Sequence, residues 1–411
     1  MAKASRSFLT PFLMLCFVGL TARLGYQMAR SPVLPQFAAD LGAGPEMIGF
    51  ILAASTMTGV ALKLPAGALS DVLGRRRILL LGGAFFAGPP LLYVFVRDPY
   101  ALLALRFLHG SATAIFSPVA SAAVADLFNR GRGERLGWFA SANEIGSAIA
   151  PLVGGFILTA SNRNFSLVYW IVAALGALTF LLVLRLPIGG AEASVASAPG
   201  GQRWRTFRRG MGQVVRDRSI LIASGAEAAL FLGVGALVGF LPLYGAQHIG
   251  LSDVQVGLVL GVQLIAAMAG KPLTGKLSDR VGRKPLILVG LVLCATVLPL
   301  VPLTRSLPLL LLESTLFGLG MAVVTPATTA LVTDLSRAGG YGAALGVFGT
   351  IWDVGEALGP ILAGALIVAF AGRGNAYVPA FLVIAGILLL FALAFGRFVS
   401  IQKPMPPAPS A

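Results

Sequence analysis

One short turn constrains this chain more than any other feature, because it is written twice. GALSDVLGRRRIL at 67–79 returns as GKLSDRVGRKPLI at 275–287, 208 positions later in a chain of 411 residues. Each copy follows an apolar run of about twenty residues and precedes another, the length that carries a helix across a hydrocarbon core of about 30 Å. The register extends beyond the turn: Lys63 matches Lys271, Arg97 matches Arg305 and Asp126 matches Asp334 at the same offset. The chain therefore reads as a membrane unit repeated in tandem.

Hydrophobic residues make up 57% and charged residues 11%, with a mean hydropathy of +0.87, whereas a soluble domain carries about a quarter charged residues. The fold class is all-α membrane protein, since apolar runs of this length satisfy their own backbone only as helices. Spans are expected near 8–30, 47–69, 78–96, 99–124, 136–160, 165–187, 218–245, 254–277, 285–304, 307–331, 342–370 and 376–398. A net charge of +15 and a pI near 10.7 would suit nucleic acid, but the basic residues are sorted by loop, which argues for topology and no nucleic-acid partner. Lys3, Arg6, Arg75, Arg76, Arg77, Arg130, Arg132, Arg135, Arg185, the arginines of 203–218, Lys276, Arg280, Arg283, Lys284, Arg337, Arg397 and Lys403 share one side. The other keeps only Arg97, Arg163, Arg305 and Arg373. By the positive-inside rule both termini are cytoplasmic, in a bacterial-type inner membrane.

Residues 188–217 mix a Gly/Ala/Ser/Pro stretch with a basic segment that holds Trp204 and Phe207. They read as a cytosolic linker between units 1–187 and 218–400, its second part either an amphipathic helix on the anionic leaflet or a solvated loop. Residues 401–411 have the composition of a disordered tail. Lys3 and Arg6 resemble the start of a signal peptide, but eleven further spans and no convincing cleavage site favour a retained first span. Cys16 and Cys294 fall inside spans as small apolar fillers. Two histidines, no Cys-x-x-Cys, no nucleotide-cradling loop and no metal or cofactor motif leave an enzyme without an inventory.

The two turns, GxLxDxxGRR and GxLxDxxGRK, resemble the loop signature of the major facilitator superfamily of secondary transporters, and the likeness covers all but the linker and tails. It implies two pseudo-symmetric six-helix bundles around a central cavity, working by alternating access as a monomer, with a small-molecule substrate, protons and the lipid bilayer as partners. It further implies that Asp71 with Arg75, and Asp279 with Arg283, lock the cytosolic side of the outward-facing state. Gly67, Gly74, Gly275 and Gly282 would allow the close approach; the plainer reading is helix caps beside topogenic arginines. LRFLHGSAT at 105–113 resembles the family's RxxQG motif, whose arginine is linked to proton movement. Arg106 and Gly110 match, while His109 replaces the glutamine with a ring that ordinarily titrates near neutral pH. His109 reads equally well as a hydrogen-bonded interior side chain. GSAIAPLVGG at 146–155 and GEALGPILAG at 355–364 resemble the small-residue motif of proton-coupled exporters, with Gly146, Pro151, Gly359 and Pro360 as its structural positions. Ordinary helix packing through small residues explains them too.

Arg23, Tyr26, Gln27 and Arg30 share one stripe of span 1 by their spacing, which suits an anionic or zwitterionic ligand. Arg30 alternatively snorkels to the outer interface. Glu227, Trp138 and Trp352 are further candidate substrate contacts, and Arg106, His109, Glu144, Asp353 and Glu356 candidate proton-coupling groups. Inside the spans Arg23, Arg30, Lys63, Arg106 and Lys271 face Glu144, Glu227, Glu313, Asp353 and Glu356 in equal number, which suggests pairing. By Pro151 and Pro360 the offset has become 209, making Glu144 the counterpart of Asp353. At about 1.5 Å per residue, Lys63, Lys271 and the two acids lie roughly 12 to 16 Å above the cytosolic loops. The expectation is two inter-bundle gate pairs, Lys63 with Asp353 or Glu356 and Lys271 with Glu144, closing the cytosolic side. The alternative has each lysine snorkelling and each acid paired within its own bundle. The expected function is proton-coupled antiport exporting a small amphiphilic drug or metabolite, with an uptake carrier or symporter of an organic anion, or a lipid flippase, as alternatives.

Overall fold

The helices begin where capping chemistry is written into the chain. Asp98 accepts hydrogen bonds from the Tyr100 and Ala101 amides, Asn164 from Leu167 and Asp217 from Ser219 and Ile220, while Ser252 and Gln255 close a reciprocal capping box. Gly74 and Gly282, at φ 92° and 99°, each turn the chain between two helices in a single residue, a conformation that favours glycine. The computed structural model describes residues 2–128, 131–187, 217–336, 341–372 and 374–399. Its twelve apolar spans are Thr10–Asp40, Pro45–Asp71, Arg75–Phe95, Pro99–Leu127, Arg132–Ala160, Phe165–Leu184, Arg218–Ile249, Asp253–Val281, Arg283–Leu303, Leu307–Leu335, Ala344–Ala369 and Tyr377–Phe398, numbered here 1 to 12. No strand occurs among the described residues. The linker with Trp204 and Phe207, Arg130, Arg337, Arg373 and the tail lie outside them.

Span 1 corrects the expected end at 30. Its helix runs Ala2–Arg30, and after Pro32 the chain enters a second helix, Val33–Asp40, whose Val33, Leu34 and Ala38 are buried. The prolines interrupt the span without ending it, so Arg30 lies within the protein and does not snorkel at an interface.

Spans 1–6 and 7–12 pack as two copies of one arrangement. Span 1 lies on 5 and 6, 2 on 4, and 3 on 4 and 6; span 7 lies on 11 and 12, 8 on 10, and 9 on 10 and 12. In a lipid solvent such contacts rest on close packing, and small residues supply it. Gly146 sits on the span 1 backbone at Leu20, while Gly355 and Gly359 sit on span 7 at Ala228 and Leu232.

The bundles meet through span 2 on span 11 and span 5 on span 8. Call the ends bearing Arg75 and Arg283 the arginine-rich face. Toward the opposite face, Gly49 lies against the backbone of Pro360, Gly364 against Pro45, Gly155 against Asp253 and Gly257 against Pro151. Any side chain there would meet backbone of the other bundle. Arg163 adds an ion pair to Asp253 at 3.9 Å, and Thr159 Oγ1 accepts from the Val254 amide at 3.0 Å. Toward the arginine-rich face, a Cβ added at Gly67, Gly137, Gly275, Gly346 or Gly349 on the same four helices would find nothing within 4 Å. The bundles are closed on one face and parted on the other.

Candidate functional site: a cavity between the bundles

A cavity of about 230 Å³ lies between the bundles, lined by residues of spans 1, 2, 4, 5, 7, 8, 10 and 11. The stripe expected on span 1 faces it whole: Arg23, Tyr26, Gln27 and Arg30 all line the space. Across from them, Trp352 of span 11 stacks on Phe231 of span 7, ring centres 4.9 Å apart and planes 3° from parallel. Arg30 Nη1 holds Glu356 Oε1 at 2.6 Å, and Lys63 Nζ is bonded to Asp353 Oδ2. Three cations and two carboxylates line the cavity, and the cation left over is Arg23, which makes no hydrogen bond or ion pair. Arg30 Nε and Ser31 Oγ are also without a hydrogen-bond partner. The first-bundle wall thus carries unsatisfied donors, and the second-bundle wall an aromatic stack, the unpartnered Trp352 Nε1 and the two carboxylates.

Lys271 Nζ lies 2.5 Å from Glu144 Oε1, so both lysines reach acids on the opposite bundle, while Glu356 takes Arg30. The conformation corrects their expected task. The bonds exist while the arginine-rich side is parted, so they do not close that side here. Lys63 stands about 15 Å from the end of its helix at Leu73, and Asp353 about 18 Å from Tyr341. Both lie at the edge of the closed half and tie it together.

Arg106 is completely buried, and its partners are neutral. Its Nη2 donates to Ser55 Oγ at 2.6 Å, Nη1 donates to Tyr93 Oη at 3.2 Å, and Cζ stands 5.7 Å over the Tyr26 ring. Hydroxyl dipoles and a π face spread the charge where no carboxylate is within reach. His109, also wholly buried, meets Tyr93 Oη through Nδ1 at 3.1 Å and packs edgewise on Tyr26. Tyr93 stacks on Tyr169 at 4.1 Å. Of this cluster Tyr26 and Ser55 reach the cavity.

Other expected site residues stand elsewhere. Glu227 is buried inside the second bundle, accepting from Thr328 Oγ1 at 2.6 Å, and does not line the cavity. Trp138 is 61% exposed near the arginine-rich face. The balance of buried charge is not realised as five pairs: Glu227 and Glu313 bond to threonines, and Arg23 and Arg106 have no acid. In the repeated turns Arg75 binds Asp71 at 2.6 Å and Asp126 at 3.0 Å, and Arg283 binds Asp279 at 2.9 Å and Asp334 at 2.7 Å. These pairs join helices of one bundle; as they stand they form no lock between bundles. Sequence reasoning missed Phe231, Ser55, Tyr93 and Thr328, since an apolar or hydroxyl side chain in a span carries no signal of its neighbour.

Among the described residues, twelve spans in two bundles of six around a polar cavity define a membrane carrier. The profile described as Major Facilitator Superfamily matches residues 15–254 and 224–411, and the chain belongs to that family. An uncharacterized MFS-type transporter of Methanocaldococcus jannaschii is 24% identical over 348 residues, 82% of this chain and 86% of that one. The quinolone resistance protein NorA of Staphylococcus aureus is 22% identical over 337 residues, 82% of this chain and 84% of its own. Among solved structures, a bacterial homologue of the human lysosomal transporter Spinster, inward-facing and unoccupied, aligns at a TM-score of 0.78 and 17% identity over 95% of this chain and 96% of that one.

Proposed function

We propose that the protein is a proton-coupled carrier of a small amphiphilic organic anion, bound in the central cavity and exposed to either side by rocking of the bundles. The observation that carries this reading is Arg23, the one lining cation without an acid, placed across from the Trp352–Phe231 stack. A net positive site selects an anion, and an apolar ring wall selects a hydrophobic body on it. With the arginine-rich face cytoplasmic by the positive-inside rule, this conformation faces inward. The carrier works as a monomer in an inner membrane, and the coupling groups are the cavity acids Asp353 and Glu356. A second reading, antiport that exports drugs, is favoured by the likeness to NorA.

Binding of an aromatic sulfonate and of a lipophilic cation to purified protein tests the choice. Charge-assisted hydrogen bonds contribute about 1.5–3 kcal/mol, so Arg23→Gln should weaken the sulfonate roughly 10- to 100-fold with folding intact. A wild-type preference for the cation would reject the anion reading.

A further inference from the structure

Arg30 is contested ground. Its Nη1 is held by Glu356 at 2.6 Å, its Nε has no partner, and it lies two helical turns from Arg23 on the cavity wall. The charged groups facing Glu356 are Arg30 and Arg23 from span 1, Lys63 from span 2 and Asp353 on its own helix; Tyr26 is the other titratable lining residue. Span 7, packed along span 11, brings only Phe231, Val234, Gly235 and Val238 to the cavity.

We propose that the ligand anion takes the place of Glu356 on Arg30, bridging Arg23 and Arg30, so that Glu356 carries a proton whenever the anion is bound. This rests on the anion reading above. While Glu356 is ionised, a second anion on Arg30 meets a like charge at close range. Once a proton from the aqueous side forms an O–H bond on Glu356, the ion pair opens and the guanidinium is released to the ligand. The linkage is reciprocal: the bound anion raises the proton affinity of Glu356 by the factor that the proton raises the affinity for the anion. The loaded site therefore holds one anion and one proton, and both cross together. The coupling is symport. A cationic ligand would reverse the sign, because it would require Glu356 ionised and would compete with the proton.

The test uses the full chain in lipid nanodiscs with 2-naphthalenesulfonate, whose acid group stays ionised between about pH 5.5 and about pH 8.5, above the usual carboxylate range, so that a proton taken up on binding goes to the protein. Affinity should fall as pH rises, approaching about tenfold per pH unit where Glu356 loses its proton. In weakly buffered solution, one proton should be taken up per sulfonate bound. Glu356→Gln should bind tightly at the high end of the range and take up no proton, whereas Asp126→Asn, at an acid outside the cavity, should keep the uptake. If Glu356→Gln does not fold, the wild-type proton count decides alone. Sulfonate binding with no proton uptake, or with release, overturns the symport inference and leaves the anion reading standing. No sulfonate binding at any pH, with a lipophilic cation bound instead, overturns both.

Discussion

The two bundles agree closely at the arginine-rich face and part company in their interiors. At the face, Arg75 with Asp71 and Asp126 is matched by Arg283 with Asp279 and Asp334. Arg76 reaches the Leu184 carbonyl at the end of span 6 just as Lys284 reaches that of Val399 after span 12. Inside, the matched positions differ in kind. Ser55 and Arg106 of the first bundle correspond to Gln263 and Ser314 of the second, where Gln263 Oε1 and Ser314 Oγ have no partner. The first bundle carries cations that form no ion pair, Arg23 and Arg106, and the second carries acids that form none, Glu227 and Glu313. The face is alike in the two copies, while the unpaired charges of the interiors are opposite in sign. Function is to be sought where the repeat fails.

The largest effect should come from breaking the first interior. Arg106→Ala leaves Tyr93 and Ser55 without their cation and opens a cavity, costing about 3–5 kcal/mol as a lowered melting temperature in detergent. The matched change in the second bundle, Ser314→Ala, should cost less than about 1 kcal/mol, since its hydroxyl has no partner to lose. Next come the ties between bundles. Lys63→Asp sets a like charge beside the buried Asp353 and should reduce transport of the sulfonate at least about tenfold, because it leaves that carboxylate uncompensated. Adding Asp353→Lys should restore part of it, and a double variant no better than the single would refute the pair's role. The smallest effects test the likeness itself. Asp126→Asn and Asp334→Asn each remove one arm of a partly exposed ion pair and should each cost below about 1 kcal/mol. Clearly unequal losses would mean that the repeated turns do different work.

Much of this was legible in the residues. Apolar runs give the twelve spans, and the constant offset matches Asp126 with Asp334 and aligns Lys63 and Lys271 with acids at similar depth. The spacing of Arg23, Tyr26, Gln27 and Arg30 gave a shared face because helical periodicity alone decides that. What periodicity does not decide is the partner that a face meets. Glu227 resembled a cavity acid until span 10 proved to set Thr328 against it, and Arg106 seemed to require a carboxylate where two hydroxyls and a ring suffice. Pro32 looked like the end of span 1, which concealed the depth of Arg30. Nor does one sequence say which face of such a carrier is shut, since the same residues are present whichever face their contacts close.

The central claim is that ion pairs between the bundles hold the opposite face closed, and paired spin labels test it directly. In a Cys16→Ser, Cys294→Ala background, labels at the exposed Tyr100 and Leu309 report the opposite face, and labels at the exposed Glu134 and Lys276 the arginine-rich face. Asp353→Asn with Glu356→Gln imitates protonation of both cavity acids. The account predicts that this pair of changes lengthens the distance between 100 and 309 and shortens that between 134 and 276. Unchanged distances, or a wider opening at the arginine-rich face, would contradict it.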